Sequence, residues 1–493
     1  MEKVDRRQGR ARLAATLLGL TALTALAVAP ARADTLVDAV TTAVSTFPSI
    51  EEAKANRRAQ DFELKQQRGL YLPSLDIQGA GGPEWSKNQT VKTSKTMPRY
   101  ESQATLSLLL FDGFGREAGI ERSAARVDAA ASRVLERSEA VAASAVETYL
   151  NVLRNLELVK LAEENVETHR DLMEKVRMRV NAGQSGAGDL QQARARFASA
   201  EESLVQSQKE LQDSRTTYIQ LINLAPDALE KVPAPQEALP SDMNEAIRLA
   251  LDTSPTLAAA AADLDEANAT HRQAQANYWP KFTLIGSTGA DRNLDGVRGL
   301  NNEAYAMVQM TYNLYRGSID VNHRMETAER AGQARAAVIR LERTVAKEVR
   351  DSWHAMDAAK KRADVLGQQV VADSQVVASY RQEFEIGQRD LLDLLDAENE
   401  LFTSQTRATT AEYTYDYSIY RSLAAVGILN STLGIEVPKE AAGGARKDAG
   451  VDPERVSPFV TRQPGYEKDL AAKTAAEAAP AAETAPAAEP AKP

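Results

Sequence analysis

The sequence predicts a mixed α/β fold with an internal duplication, in which long helices pack side by side as coiled coils beside four short β-strands. Three observations predict it. Several sequence features recur at a spacing of 204–207 residues. Two segments of about 65–68 residues contain no proline and little glycine. Ahead of each of them, short segments alternate apolar and polar residues with the period of two that is typical of strands.

The N-terminus predicts a secretory signal peptide at residues 1–33, with cleavage after Ala33. A basic stretch, KVDRRQGRAR, precedes an apolar run, LAATLLGLTALTALAV, and a small-x-small ending, APARA. The apolar run is short for a membrane span, and no later run of 18 or more apolar residues follows. We therefore expect an exported protein without a transmembrane helix.

The composition excludes several kinds of site. The chain has no cysteine, which excludes disulfides, thiolate catalysis and thiolate metal ligands. Its four histidines, at positions 169, 271, 323 and 354, lack metal-ligand spacing, so we expect neither a metal nor another cofactor. Residues 1–33 hold six of the 59 basic and two of the 69 acidic side chains, which leaves 53 and 67 and a net charge of −14. That charge argues against nucleic acid as a partner.

An internal duplication organises the rest of the chain. The features that recur are Pro48 with Pro255, Tyr71-x-Pro73 with Tyr278-x-Pro280, Gly113 with Gly317, and Gly183-Gln184 with Gly387-Gln388. Matches in register over about 205 residues indicate two copies of one structural unit. We predict a first repeat at 34–224, a proline-rich linker at 225–241 and a second repeat at 242–435.

Each repeat is predicted to begin with a helix, at 34–70 and at 242–277, in which Pro48 and Pro255 mark kinks or junctions between helices. Two strands follow in each half, and residues 303–315 show the clearest alternation. We expect polar loops at 81–99 and 289–302. Strands of about 9–12 residues can cross a bilayer at a tilt. The alternative is a soluble sheet of two hairpins with one face in a core.

The long helices come next, at 116–180 and 319–386, and each would extend for roughly 100 Å. Their apolar residues recur at steps of three and four, which predicts close side-by-side packing. Shorter helices are predicted at 189–224 and 390–429. In each repeat, the short helix and the first helix placed end to end have about the length of one long helix. The low-complexity composition of the C-terminal region predicts a disordered tail at 436–493.

Four strands cannot close a barrel, and lipid does not tolerate an open sheet edge, so a membrane-spanning sheet would require several chains. Three chains would supply twelve strands. Over residues 34–435 the sequence resembles the TolC-like outer membrane factors of Gram-negative bacteria. The resemblance lies in the duplication, the Tyr-x-Pro strand entries, the strand exits FDG and YRG, and the segment GQRDLLDLLDAENEL. It implies a homotrimer in which a twelve-strand transmembrane β-barrel contacts outer membrane lipid, while a long α-helical coiled-coil barrel forms a tunnel in the periplasm.

Two aspartates in that segment are the candidate gate. On a helical wheel Asp393 and Asp396 lie about 60° apart, on the face opposite most of the neighbouring leucines. An ordinary solvated face is the alternative, because carboxylates are favoured near a helix N-terminus. The resemblance implies instead that the aspartates form a constriction at the periplasmic mouth. Six carboxylates around one axis would attract cations and make the closed channel cation-selective.

The resemblance also implies a latch and a docking surface near the gate. Arg389 and Asp189 match the residues that hold the closed state in this family. The chain departs from the pattern at Phe384, where the family has a tyrosine, and at Gly188, where it has a threonine. We therefore expect a weaker or differently wired latch. Gly183 and Gly387 mark helix-to-helix turns at which the hairpin of a periplasmic adaptor would dock.

Four functional readings follow. The first is the passive outer membrane duct of a type I secretion system, which works with an adaptor, or membrane fusion protein, and an inner-membrane ABC transporter. The second is the duct of a multidrug efflux pump, whose partner would be a proton-driven pump of the RND class. The third is a periplasmic coiled-coil scaffold without a channel. An enzyme has no support, because the sequence shows no nucleophile–base set, phosphate loop or metal cluster.

Overall fold

The computed structural model describes residues 35–92, 94–226 and 228–451, so the predicted signal peptide and residues 452–493 lie outside it. The elements of the first half are α1 (Leu36–Thr46), α2 (Pro48–Gly69), β1 (Ser74–Ser86), β2 (Lys95–Phe111), α3 (Gly115–Asn181) and α4 (Ala187–Ile222). The elements of the second half are α5 (Met243–Thr253), α6 (Pro255–Gln275), β3 (Lys281–Arg292), β4 (Leu300–Thr311), α7 (Ile319–Glu385) and α8 (Leu391–Val426). Two short helices follow, α9 (Leu429–Thr432) and α10 (Ala445–Asp448).

The two halves carry the same helices and strands in the same order, and corresponding helices have the same length to within one residue. Helices α3 and α7 each have 67 residues, and α4 and α8 each have 36. The predicted long helices are confirmed to within one residue at each end. Pro48 and Pro255 each occupy the first position of a helix, after one non-helical residue. This confirms the predicted junctions, since proline lacks the N–H that a helix interior requires and fits well at its start.

The strands form one antiparallel sheet in the order β1-β2-β3-β4. Side chains directly opposite each other on neighbouring strands point to the same face, so the register defines two faces. One face is mainly apolar, and its rows contain Leu75, Ile77, Ala104, Leu106, Leu108, Leu284, Ala306 and Val308. The other face is mainly polar, with Asp76, Gln78, Gln103, Thr105, Ser287, Glu303 and Gln309. None of the named apolar side chains is buried.

The predicted loop at 81–99 is wrong at both ends, because β1 continues to Ser86 and β2 begins at Lys95. Pro83 faces Pro98 across this extension. Proline is tolerated there because pairing between β2 and β3 begins only at Tyr100, so both prolines lie on strands with a free edge. The second hairpin also has a shorter loop than predicted, at residues 293–299.

The helices form a layer in which α3 is central and α7 lies at the edge. Helix α3 has 30 buried residues, whereas the equally long α7 has eight. The main core cluster joins the middle of α3 to α1, α4 and α8 and includes Tyr149, Tyr218 and Tyr420. Helix α7 therefore exposes much of the surface that α3, a helix of the same length, buries.

The prediction of a disordered tail from residue 436 is wrong for residues 436–451, which we call the C-terminal strap. Its helix α10 lies against α3, and its Arg446 pairs with Asp128 of α3 and Asp265 of α6. A composition-based prediction misses such a segment because a few buried charged contacts hold it in place. In the described ranges, no helix combines the length and the apolar character needed to cross a membrane.

Candidate functional site

The candidate site lies where α3 turns into α4 and α7 turns into α8, a region we call the tip. Gly183 and Gly387 occupy these turns with φ values of +69° and +78°. In each turn the following glutamine N–H donates to a carbonyl five residues earlier, at 2.9 Å for Gln184 and 2.8 Å for Gln388. Glycine is favoured because a left-handed backbone ends the helix. Apart from the adjacent residues, no atom lies within 4 Å of a Cβ built on either glycine, and both turns are exposed.

A small apolar core holds the two hairpins of the tip together. It consists of Leu172, Val176, Ala193, Phe384, Leu391, Leu394 and Leu395, all buried. The ring of Phe384 lies under the guanidinium of Arg179, 4.0 Å from the ring centroid. Arg179 also donates to the Phe384 carbonyl oxygen at 2.7 Å. Phe384 therefore serves in packing and cation–π contact and needs no hydroxyl for either.

Asp189 caps its own helix. Its carboxylate accepts hydrogen bonds from the Gly186 N–H at 3.0 Å and from the Ser185 hydroxyl at 2.8 Å. In the second hairpin Asp390 occupies the N-cap position and accepts from the Leu391 N–H at 2.7 Å. Both carboxylates satisfy N–H groups that a helix N-terminus leaves without partners.

Arg389 is engaged within its own hairpin. It bonds Glu383 at 2.7 Å and Asp393 at 3.2 Å, and its guanidinium lies 4.0 Å from the centroid of the Tyr380 ring. No hydrogen bond or ion pair joins Arg389 to Asp189 in the part of the chain that the structure describes. The structure therefore does not bring the two latch candidates together within one chain, and a bond between copies stays a prediction.

Asp393 and Asp396 lie on the exposed face of α8, with 49% and 59% of their side chains accessible. Leu391, Leu394 and Leu395 are buried on the opposite face, which confirms the predicted division of this helix. Each aspartate has an arginine partner. Asp393 pairs with Arg389, and Asp396 pairs with Arg196 of α4, whose Nη2 lies 2.6 Å from the Asp396 Oδ1. Whether the aspartates form a constriction stays a prediction.

Sequence reasoning missed Arg196. A signal was present, because the duplication aligns Arg196 with Glu400 at the tip spacing of 204. The first repeat reads QQARARFA at residues 191–198 where the second reads LDAENELF at residues 395–402, so these two segments carry opposite charge. Neighbouring helices of opposite charge form ion pairs across their interface.

A second ion pair, between Arg381 of α7 and Glu398 of α8, also escaped the sequence analysis. Arg381 bonds both carboxylate oxygens, and its Nη2 lies 2.8 Å from the Glu398 Oε2. Only 4% of the Glu398 side chain is exposed. Nearby, burial lowers the pKa of His169, which favours a neutral imidazole at neutral pH. This ion pair, in which only Glu398 is buried, joins the two helices of the second hairpin.

The tip shows no arrangement typical of an enzyme or of a metal site. Within the described residues, no group of three or more histidine, aspartate or glutamate side chains is placed to hold a metal ion. Its polar groups instead cap helices, as Asp189 and Asp390 do, or join one helix to another, as the Arg196–Asp396 and Arg381–Glu398 pairs do. This arrangement can set the charge and the mobility of a surface at the end of the helices.

Comparison with known proteins gives a consistent result. The sequence matches the profile of the family described as outer membrane efflux protein over residues 40–224 and 246–425. It is 25% identical to the outer membrane efflux protein BepC of Brucella suis, over 86% of this chain and 91% of the relative. It is 22% identical to the outer membrane protein TolC of Escherichia coli, over 91% and 93%. It is 22% identical to the alkaline protease secretion protein AprF of Pseudomonas aeruginosa, over 77% and 82%.

A solved structure shows the same fold. The outer-membrane channel OprN superimposes with a TM-score of 0.71 at 19% identity, over 80% of this chain and 89% of that chain. The agreement covers the mostly helical architecture with its four-stranded sheet.

Proposed function

This chain belongs to the outer membrane efflux protein family and is an outer membrane channel rather than an enzyme, and we propose that three copies of it form the exit duct of a type I secretion system. In this proposal twelve strands close a barrel in the outer membrane and the helices form a tunnel through the periplasm. An adaptor would connect the tip to an inner-membrane ABC transporter, which supplies the energy.

The observation that carries the proposal is the open apolar sheet. Strands β1 and β4 lie at its two edges, and the structure describes no element that covers its apolar face. Ile77 of β1 and Val308 of β4 have 80% and 60% of their surface exposed. In lipid an apolar face is stable, but every edge N–H and C=O group must find a partner. Pairing of β4 with β1 of the next copy satisfies both conditions.

The helices support the same mode of association. Helix α7 lies on the β4 side of the chain and follows that strand directly, and it has the large exposed surface already described. Contact between this edge of one copy and the opposite edge of the next is a head-to-tail interface, which closes into a ring when the rotation permits. Three copies would complete the twelve strands that the family resemblance implies.

Aromatic residues at both ends of the sheet fit the level of lipid headgroups. Tyr71, Tyr278, Trp279, Tyr312 and Tyr315 are exposed near the end that joins the helices, and Trp85 and Tyr100 are exposed near the other end. Girdles of aromatic side chains mark the two interfaces of outer membrane barrels. With the apolar face toward lipid, the face that contains Asp76 and Gln103 would line the water-filled interior.

The gate proposal concerns Asp393 and Asp396. Three copies would bring six carboxylates to the periplasmic mouth, where they attract cations. We expect the double variant Asp393→Ala/Asp396→Ala to lose most of the block by multivalent cations in planar bilayers, because the charges that hold the blocking ion are gone. Asp390→Asn serves as a control on the same helix end, since Asp390 caps α8. Unchanged block in the double variant contradicts the aspartate gate.

The latch and docking proposals use the neighbouring residues. A bond from Arg389 to Asp189 of a neighbouring copy would compete with the contacts that each residue makes inside its own hairpin, so we propose a weak latch. The exposed turns at Gly183 and Gly387 leave backbone groups accessible, which supports docking of an adaptor hairpin there.

A multidrug efflux duct is the alternative, and the relatives support both readings. BepC is named as an efflux protein, whereas AprF is named for protease secretion. The two readings share one duct and differ in cargo and inner-membrane partner, which would be an ABC transporter or a proton-driven pump. The tip segment LLDLLDAENELF, at residues 391–402, favours type I secretion by its resemblance to secretion members of the family. A periplasmic scaffold without a channel is disfavoured, because it leaves the apolar face of the sheet in water.

The test is a comparison by mass spectrometry of the proteins secreted by a deletion strain, its parent and a strain complemented with the wild-type chain. We expect one large exported protein to disappear in the deletion strain and to return on complementation. An unchanged secretome together with increased drug susceptibility contradicts type I secretion and favours efflux. Recovery of the chain as a soluble periplasmic monomer contradicts both duct readings.

A further inference from the structure

We infer that Arg196 is a specificity-determining residue of the periplasmic gate, because it neutralises Asp396 and so sets the charge that a passing ion meets. The inference rests on the proposed function, in which the tip lines the mouth of a duct. It changes the expected gate from six free carboxylates to a ring in which an arginine compensates each Asp396.

The geometry joins two hairpins that come from different repeats. Arg196 is on α4 and Asp396 is on α8, 200 residues apart, and their charged groups lie 2.6 Å from each other. One turn before Arg196, Ala193 is buried in the tip core, and Leu395 precedes Asp396 in the same core. The pair therefore lies at the rim of a packed interface, which holds the two side chains in reach of each other.

Arg389 and Arg196, the two arginines next to the candidate gate, differ in the number of carboxylates that they pair with. Arg389 divides its contacts between Glu383 and Asp393, so it compensates Asp393 only in part. Arg196 makes its one ion pair in the described chain with Asp396. Loss of Arg196 would therefore leave Asp396 uncompensated, whereas Asp393 would keep its partner.

The ion pair between Arg196 and Asp396 matters more for the electrostatic potential of the mouth than for the stability of the tip. The side chains of Arg196 and Asp396 are 36% and 59% exposed, and an ion pair as accessible as this contributes little to stability. By contrast, the loss of three positive charges from a narrow mouth makes its electrostatic potential more negative. Every cation within a Debye length, about 10 Å at 0.1 M salt, is affected by this change. The expected signature is a change in ion block at low salt with little change in assembly.

The chain offers a matched control in Arg194. It lies on the same helix, two residues before Arg196, and is exposed. A separation of two residues turns its side chain about 200° around the helix axis, away from Asp396. No ion pair of Arg194 occurs among the described residues. Arg194→Gln therefore removes the same charge without exposing Asp396.

The experiment reconstitutes the full mature chain in planar bilayers at 0.1 M KCl and titrates MgCl₂ on the periplasmic side. We expect Arg196→Gln to lower the half-blocking Mg²⁺ concentration about tenfold, and Arg194→Gln to change it less than about twofold. Arg196→Lys keeps the charge and should retain wild-type block. In 1 M KCl the difference between Arg196→Gln and wild type should shrink, because the Debye length falls to about 3 Å.

A second variant keeps the inference testable if Arg196→Gln does not assemble. Asp396→Asn leaves Arg196 without its partner and should raise the half-blocking Mg²⁺ concentration about tenfold. Equal block in Arg196→Gln and Arg194→Gln overturns the inference and leaves the duct in place. Higher resting conductance with unchanged Mg²⁺ block also overturns it, since Arg196 would then act only as a tie between hairpins. If the wild-type chain forms no channel, the proposed function fails and the inference fails with it.

Discussion

Val308→Arg will prevent this chain from accumulating as a trimer in the outer membrane. Val308 lies in the row that runs from Leu108 through Leu284 to β4, on the apolar sheet face and three residues before the end of β4. If that face meets lipid, an arginine within the apolar band costs up to about 4 kcal/mol in each copy, and the trimer has three. The measurement is the amount of trimer in outer membrane fractions, judged by its band in gels run without heating.

Gln309→Arg is the matched control. Gln309 is the next residue of β4, so its side chain points to the opposite, polar face, where Thr283 is its cross-strand partner. An arginine that faces a water-filled interior should leave the amount of trimer close to that of the wild type. Equal loss in both variants contradicts the assignment of the faces, and equal tolerance of both contradicts the membrane position of the sheet.

The second large effect is expected at Arg446 of the C-terminal strap. Arg446 bonds Asp128 at 2.9 Å and Asp265 at 2.5 Å, and those side chains are only 6% and 4% exposed. Asp128 also accepts hydrogen bonds from the backbone N–H groups of Gly444 and Ala445. We expect Arg446→Ala to lower the free energy of unfolding by about 3 kcal/mol, because it leaves two buried carboxylates without their cation.

The pH dependence of this variant follows from the same groups. Burial raises the pKa of Asp265 even with Arg446 present, and removal of the arginine should raise it further. When the pKa of a carboxyl group is higher in the folded state than in the unfolded state, the free energy of unfolding falls as the pH rises from the unfolded pKa to the folded pKa. The destabilisation of Arg446→Ala should therefore be larger at pH 8 than at pH 5, as measured by thermal unfolding in detergent.

Two further variants separate the charge effect from simple loss of the strap. Arg58→Ala removes another strap contact, to Glu440, but the Arg58 side chain is 45% exposed and water screens its charge, so it should contribute little to stability. Asp128→Asn/Asp265→Asn in the Arg446→Ala background removes both buried charges and should restore part of the stability. Equal unfolding temperatures for Arg446→Ala and Arg58→Ala are incompatible with a buried-charge role for Arg446.

Much of the candidate site could be predicted because its signals are local. Gly183 and Gly387 end helices through a backbone conformation that glycine adopts easily, and a few consecutive residues are enough to determine each turn. The exposed position of Asp393 and Asp396 follows from the period of one helix. The sequence analysis did not predict the cap that Asp189 makes with Ser185 and Gly186, and the role of Asp189 in a latch between copies stays a prediction.

The duplicated element order, the ends of the four longest helices to within three residues, and the alternation that separates the two faces of the sheet could all be predicted from the amino-acid sequence. These properties depend on proline and glycine positions and on the spacing of apolar residues within one segment. The pairing of charged side chains became clear only in the folded structure. The register of packed helices determines which side chains form ion pairs. The pairs are Arg196 with Asp396, Arg381 with Glu398, and Arg446 with Asp128 and Asp265. A long arginine side chain can reach any nearby carboxylate, so its partner depends on which helix lies beside it and at what height, and no local pattern encodes that position.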